Sequence, residues 1–279
     1  MNTLPAPEID RELLQRMYDG YTEGVRAKLG RLSERTLFQT RPRDDLFLAA
    51  AYATGLGKVE EGRLMLGALA RLSSASLELG SSANVKTVEL GWPPGQGALT
   101  LRGPADPVTA PEWVRSLSAA LVARDAVAEA ALRVATPAAS STALSWNPYW
   151  DAWVEAWKQA LDGHAGPAGA ALATALDRAD PEHAYDEEDA QYMLGVIAPA
   201  IEVMYRALAR DAAGCDQAIG KGLERVAHLY RSTPDQELRY LPIQLLGAVR
   251  LAERLGVARN VDSPVLAILD PMVTSAPSP

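Results

Sequence analysis

The chain has 279 residues, of which 48% are apolar and 22% charged, and carries a formal net charge of −8. That apolar share builds a sizeable core and excludes wholesale disorder, and the lone Cys215 excludes an internal disulfide and fits a reducing compartment. An acidic chain has the wrong sign for direct nucleic-acid binding, no apolar run reaches the roughly 18 residues of a membrane span, and residues 1–10 lack a secretory signal pattern, so a cytoplasmic protein is expected.

In chain order, Glu8 to Leu32 places Leu14, Tyr18, Tyr21, Val25, Leu29 and Leu32 at helical spacing. Asp44-Asp45 open a second helix through Tyr52, and Gly55 to Gly57 break it. Val59 to Leu79 is a third. From Asn84 the period becomes two: Val88, Leu90 and Trp92 alternate with polar residues, Pro93 to Gly97 turns, and Leu99 and Leu101 alternate again, which predicts one small β-hairpin near residues 85–102. Thr109-Ala-Pro-Glu112 is a capping box for a helix to about Val134, and a small-residue loop, 137–145, follows. Four of the six tryptophans then fall in Trp146 to Trp157. Asn147 suits an N-cap and Pro148 the first helical position, and Trp150, Trp153, Trp157 and Leu161 share one stripe opposite Asp151, Glu155, Lys158 and Asp162.

An Ala-rich helix runs to Asp177, and a long helical segment from Glu187 to Arg210 is interrupted at Pro199. Asp216 to Arg231 is the next helix, and Thr233-Pro-Asp-Gln236 is a second capping box, opening a helix to about Leu255 with a kink at Pro242. The Pro/Ser-rich stretch 271–279 is expected to be a flexible tail. The expectation is an all-α, irregular multi-helix fold, a single large helical domain over 1–270 with a candidate sub-boundary near 136–146. The scarcity of Phe, two residues against many Ala, Leu and Val, favours helices packed through small side chains.

Catalytic signatures are missing. Gly55-Leu-Gly57-Lys58 and Gly220-Lys221 are fragments of a phosphate loop, without the spacing or the Ser/Thr it needs, and read as helix breaks. Three scattered histidines and one cysteine make a zinc site improbable, and no metal or cofactor is expected. Cys215 lies at a predicted helix start, where a thiolate is stabilised, although a single cysteine is more often a small buried hydrophobe.

Charge placement is more informative. Residues 1–145 hold 16 basic and 16 acidic side chains, whereas 146–279 hold 11 and 19, and the excess concentrates between Asp177 and Asp189. Asp180, Glu182, Asp186, Glu187, Glu188 and Asp189 either sit solvated at a helix start or steer a basic partner. Asp186 and Asp189 share a helical face as magnesium-binding acids of helical diphosphate enzymes do, but lack a second acidic cluster. Trp113, Trp146, Tyr149, Trp150, Trp153 and Trp157 form either plain core or the lining of a pocket for a small apolar ligand, such as a cyclase-like biosynthetic protein would use. Glu224 and His228, four apart, read as a pair on a helix surface.

In sequence order, several stretches resemble the immunity protein 49 family of bacterial polymorphic-toxin systems. They are Leu46 to Gly55, Glu61 to Ser76, the hairpin, Trp113 to Arg124-Asp125, the Tyr149/Trp150 helix, Ala227-His228-Leu-Tyr230, and Gly256 to Pro264. The resemblance implies a mostly helical protein that neutralises a cognate toxin by binding it. It brings no catalytic residues.

Overall fold

A computed structural model describes residues 2–3, 10–32, 40–80, 83–137, 147–184, 186–233 and 235–270. Trp146, most of the candidate sub-boundary and the tail 271–279 lie outside them. The described residues are all-α with one antiparallel hairpin. The helices are α1 (Arg11–Leu32), α2 (Thr40–Gly55), α3 (Val59–Leu79), α4 (Ala110–Ala123), α5 (Ala126–Val134), α6 (Tyr149–Leu161), α7 (Ala165–Arg178), α8 (Glu187–Tyr192), α9 (Ala198–Leu208), α10 (Ala212–Leu229) and α11 (Ile243–Arg254). Two short strands, β1 (Asn2–Thr3) and β4 (Val261–Asp262), pair in parallel, and β2 (Val85–Val88) pairs antiparallel with β3 (Leu99–Arg102), Val88 opposite Leu99. The β1–β4 pair was not anticipated, because two residues carry no period.

Helices α1 to α4 pack each on the next, α4 packs on α11, α11 on α9, and α9 on α10 and α7; α6 and α7 form a hairpin beside them. At the centre is α11, where Ile243 to Ala252 are all buried, so it is apolar on every side as an enclosed helix must be. Its crossing with α4 depends on Gly247, where a Cβ would lie 2.5 Å from Ser118 Oγ and 2.9 Å from its Cα. The small-residue packing expected from composition is realised there.

The structure corrects four boundaries. The helix expected to run to Val134 breaks at Arg124, which adopts a left-handed φ of 58°, and Asp125 then caps α5 by accepting from the Ala128 N–H at 3.1 Å. Arg71 Nε holds Asp125 from the other side at 2.5 Å. Leu90 and Trp92 are not in a strand: they drop into the core from the connection between β2 and β3. Thr233 to Gln236 opens no long helix; a single 3-10 turn, Glu237–Arg239, is followed by α11 only after Pro242, which bounds the helix rather than kinking it. Arg239 Nη1 bonds the carbonyls of Tyr230 and Arg231, tying that turn to the end of α10. Gly220-Lys221 breaks nothing and lies inside α10, whereas Gly57, at φ 79°, does separate α2 from α3.

Candidate functional site

A recessed surface surrounds the C-terminal half of α10, and its shape begins with Pro199. A proline in a helix has no N–H to give, and its ring collides with the carbonyl four residues back, here that of Gly195. The chain relieves both through a π-turn over Met193–Ile197, in which the Ala198 N–H reaches the Met193 carbonyl. In that wider register the Leu194 carbonyl would accept from residue 199, which has no donor. Arg225 of α10 takes over, donating from Nη1 to Leu194 O at 3.1 Å. Gly195 lets α10 approach, since a Cβ there would meet Leu229 Cδ2 at 3.1 Å. The turn therefore pushes Leu194 outward, where it remains 45% exposed.

Three clefts border α10, the first of them against this turn. The first, about 660 Å³, lies between the π-turn and α10, with Leu194, Arg225, His228 and Leu229 among its lining. The second, about 360 Å³, shares Glu224 and His228 with the first and reaches Pro242 and Val265. The third, about 400 Å³, shares Gln191 and Leu229 with the first and is bordered by α4, α8 and the 3-10 turn. Glu224 and His228 thus border two clefts, and among the described residues no bond joins their side chains. The first cleft shares lining residues with each of the other two, which share none with one another.

Burial shapes the chemistry of the third cleft. The Glu237 carboxyl is pushed above its ordinary value, chiefly by desolvation. The Tyr230 hydroxyl is pushed up to about 12, by burial first and by the charges of Glu237 and Glu188 second, and burial raises Tyr192 as well. Such groups stay protonated donors at neutral pH, while a half-buried carboxylate is left short of solvation.

The acidic run divides between local roles and this face. Asp180 and Asp186 accept backbone N–H groups, of Glu182 at 2.9 Å and of Asp189 at 2.8 Å, and so cap short helical turns. Asp186 is therefore a helix cap, its Oδ1 engaged by the Asp189 N–H. Glu182 and Glu187 are exposed, and Glu188 and Asp189 line the third cleft. Gln191, Leu194, Arg225, Glu237 and Gln244 were not marked by sequence reasoning. The one signal available was Pro199, whose position announces a distorted turn.

The indoles lie elsewhere. Trp113, Tyr149, Trp150, Trp153 and Trp157 are buried where α6 meets α4 and α9, and none lines the three clefts. Trp150 and Trp153 stack at 5.4 Å between centroids, Trp153 Nε1 faces Met204 Sδ at 3.3 Å, and Trp113 Nε1 donates to Leu132 O at 3.0 Å. The tryptophan helix starts at Tyr149, whose N–H faces Asn147 Oδ1 at 3.4 Å. Cys215 is buried, and desolvation with the nearby charges of Asp211 and Asp216 pushes its thiol up to about 11, the reverse of thiolate stabilisation. Among the described residues no three His, Cys, Asp or Glu side chains converge as a metal site requires, and no helix is long and apolar enough to cross a membrane.

The family model that matches this sequence, over residues 57–266, is described as Immunity protein 49. No curated protein and no solved structure matches the chain.

Proposed function

Because the chain belongs to the immunity protein 49 family, we propose that it neutralises a cognate bacterial toxin in the cytoplasm by direct protein–protein contact, and that the toxin docks on the clefted face of α8, the π-turn and α10. The observation that supports this reading is the row of three clefts along α10, the first of them holding the outward-facing Leu194 and sharing lining residues with each of the other two. A tight complex buries about 1,200–2,000 Å² and concentrates its energy in a few anchors that enter preformed recesses. A face with three such recesses needs little rearrangement to receive them. Of the exposed acids, Glu188 borders the third cleft and Glu182 and Glu187 precede it in the chain; such charges favour approach of a basic partner and act mainly on the association rate.

The test uses a toxin encoded beside this gene. Leu194→Arg places a bulky charge in the first cleft, and because Leu194 is already half exposed the variant keeps its fold. It is expected to lose both protection of growth and the complex on gel filtration. Val127→Arg, on α5 at a residue 78% exposed, is the control and is expected to keep both. Loss with Val127→Arg and retention with Leu194→Arg would place the docking face elsewhere.

A further inference from the structure

The third cleft differs in chemistry from its neighbours. Three carboxylates line it, those of Glu188, Asp189 and Glu237. Arg115 lines it too and its charge acts on Glu237, but its Nη2 is bonded to Asp44 Oδ1 at 2.5 Å and its guanidinium lies over the Phe47 ring at 5.3 Å. Deeper, Gln244 is only 5% exposed; its amide Nε2–H donates to the Tyr192 hydroxyl at 3.2 Å, and its Oε1 has no donor among the described residues. A buried amide oxygen left without a partner is costly, so an orphaned acceptor beside a group of acids marks a place that a donor would complete.

We propose that this cleft receives one arginine side chain of the toxin. The inference rests on the docking reading above and names what one of its recesses takes. A guanidinium suits the cleft better than an ammonium because it spreads five N–H donors over a plane, enough to meet carboxylates and an amide oxygen from different sides at once, and it stacks on aromatic walls such as Tyr192 and Tyr230. A bare metal ion suits it poorly, since among the described residues no three acidic or His side chains gather tightly enough to hold one. Entry of a cation would also relieve the desolvated Glu237 carboxylate, whose proton affinity is raised by burial in the free protein.

Nα-Acetyl-L-arginine methyl ester, titrated into the full chain and followed by amide NMR, provides the test. Saturable shifts are expected at the Gln244 side-chain amide and along 188–192, with affinity about tenfold weaker for the lysine ester and for the Glu237→Gln and Glu188→Gln variants. Glu188 is exposed, so its variant keeps the fold whatever becomes of Glu237. Since Arg115 Nε also lacks an acceptor, the glutamate counterpart is the necessary control. Shifts that do not saturate, that survive both substitutions, or that the glutamate probe reproduces would overturn the proposal. Because no toxin is needed, the two readings fail separately. A stable toxin complex without arginine binding sinks the arginine recess alone. Arginine binding without any toxin complex sinks docking, and with it the toxin as the source of that side chain.

Discussion

Glu237 carries a cost in the free protein that partner binding would remove. Its carboxyl is raised above the ordinary glutamate value of 4.5, mainly because burial penalises the ionised form. A raised folded-state value means that the contribution to stability is fully present below the unfolded value and is lost as pH rises through the folded one. At neutral pH the ionised side chain therefore weighs against the fold. Glu237→Gln is expected to raise the Tm at pH 7, with the advantage shrinking as the pH falls through the raised folded-state value and gone below about 4.5, as thermal unfolding followed by circular dichroism across that range would register. An equal or lower Tm at pH 7 would mean that the carboxylate is compensated in the free chain. Sequence alone could not mark this residue, which reads as one more surface acid until folding brings the 3-10 turn against α4 and α10.

Among the elements, the crossing of α4 and α11 makes the sharpest demand. Gly247→Ala would drive a methyl to within 2.6 Å of Ser118 Cβ, and a backbone atom lies 2.9 Å away, so the helices must separate. Overpacking of this kind typically costs about 1–3 kcal/mol, and urea unfolding should show that loss despite alanine's better helix propensity. A gain in stability would show that α11 can shift freely. The helices that were legible in the sequence are those with a regular apolar stripe and marked ends. For α3, Gly57 before it and Gly80 after it both take positive φ, and its expected bounds, Val59 to Leu79, are those observed. The stripe of Trp150, Trp153 and Trp157 likewise placed α6 to within a residue or two.

What was not legible depends on contacts distant in sequence. The break between α4 and α5 has neither Gly nor Pro; it exists because Asp125 is held at once by the Ala128 N–H and by Arg71, which lies 54 residues away. The late start of α11 reflects Arg239 pinning the preceding turn to the carbonyls of Tyr230 and Arg231. For the site, Pro199 announced an interrupted helix, but the clefts appear only once α8, the π-turn and α10 lie side by side. The Arg225 bond to the Leu194 carbonyl, between residues 31 apart, has no local signature at all.

For the whole molecule, charge and shape point the same way. The acidic excess falls in the second half of the chain, and part of it borders the recessed face, where it would favour a basic toxin at low ionic strength. A protein that works by occupying its target is consumed one molecule for each molecule it silences, whereas a protein that modified the toxin chemically would silence many. Titrating purified chain into a fixed concentration of active toxin, well above the dissociation constant, distinguishes the two. Residual toxin activity is expected to fall linearly, to reach zero only near equivalence and not to change on longer incubation. Complete inactivation by a small fraction of an equivalent, deepening with time, would contradict neutralisation by binding.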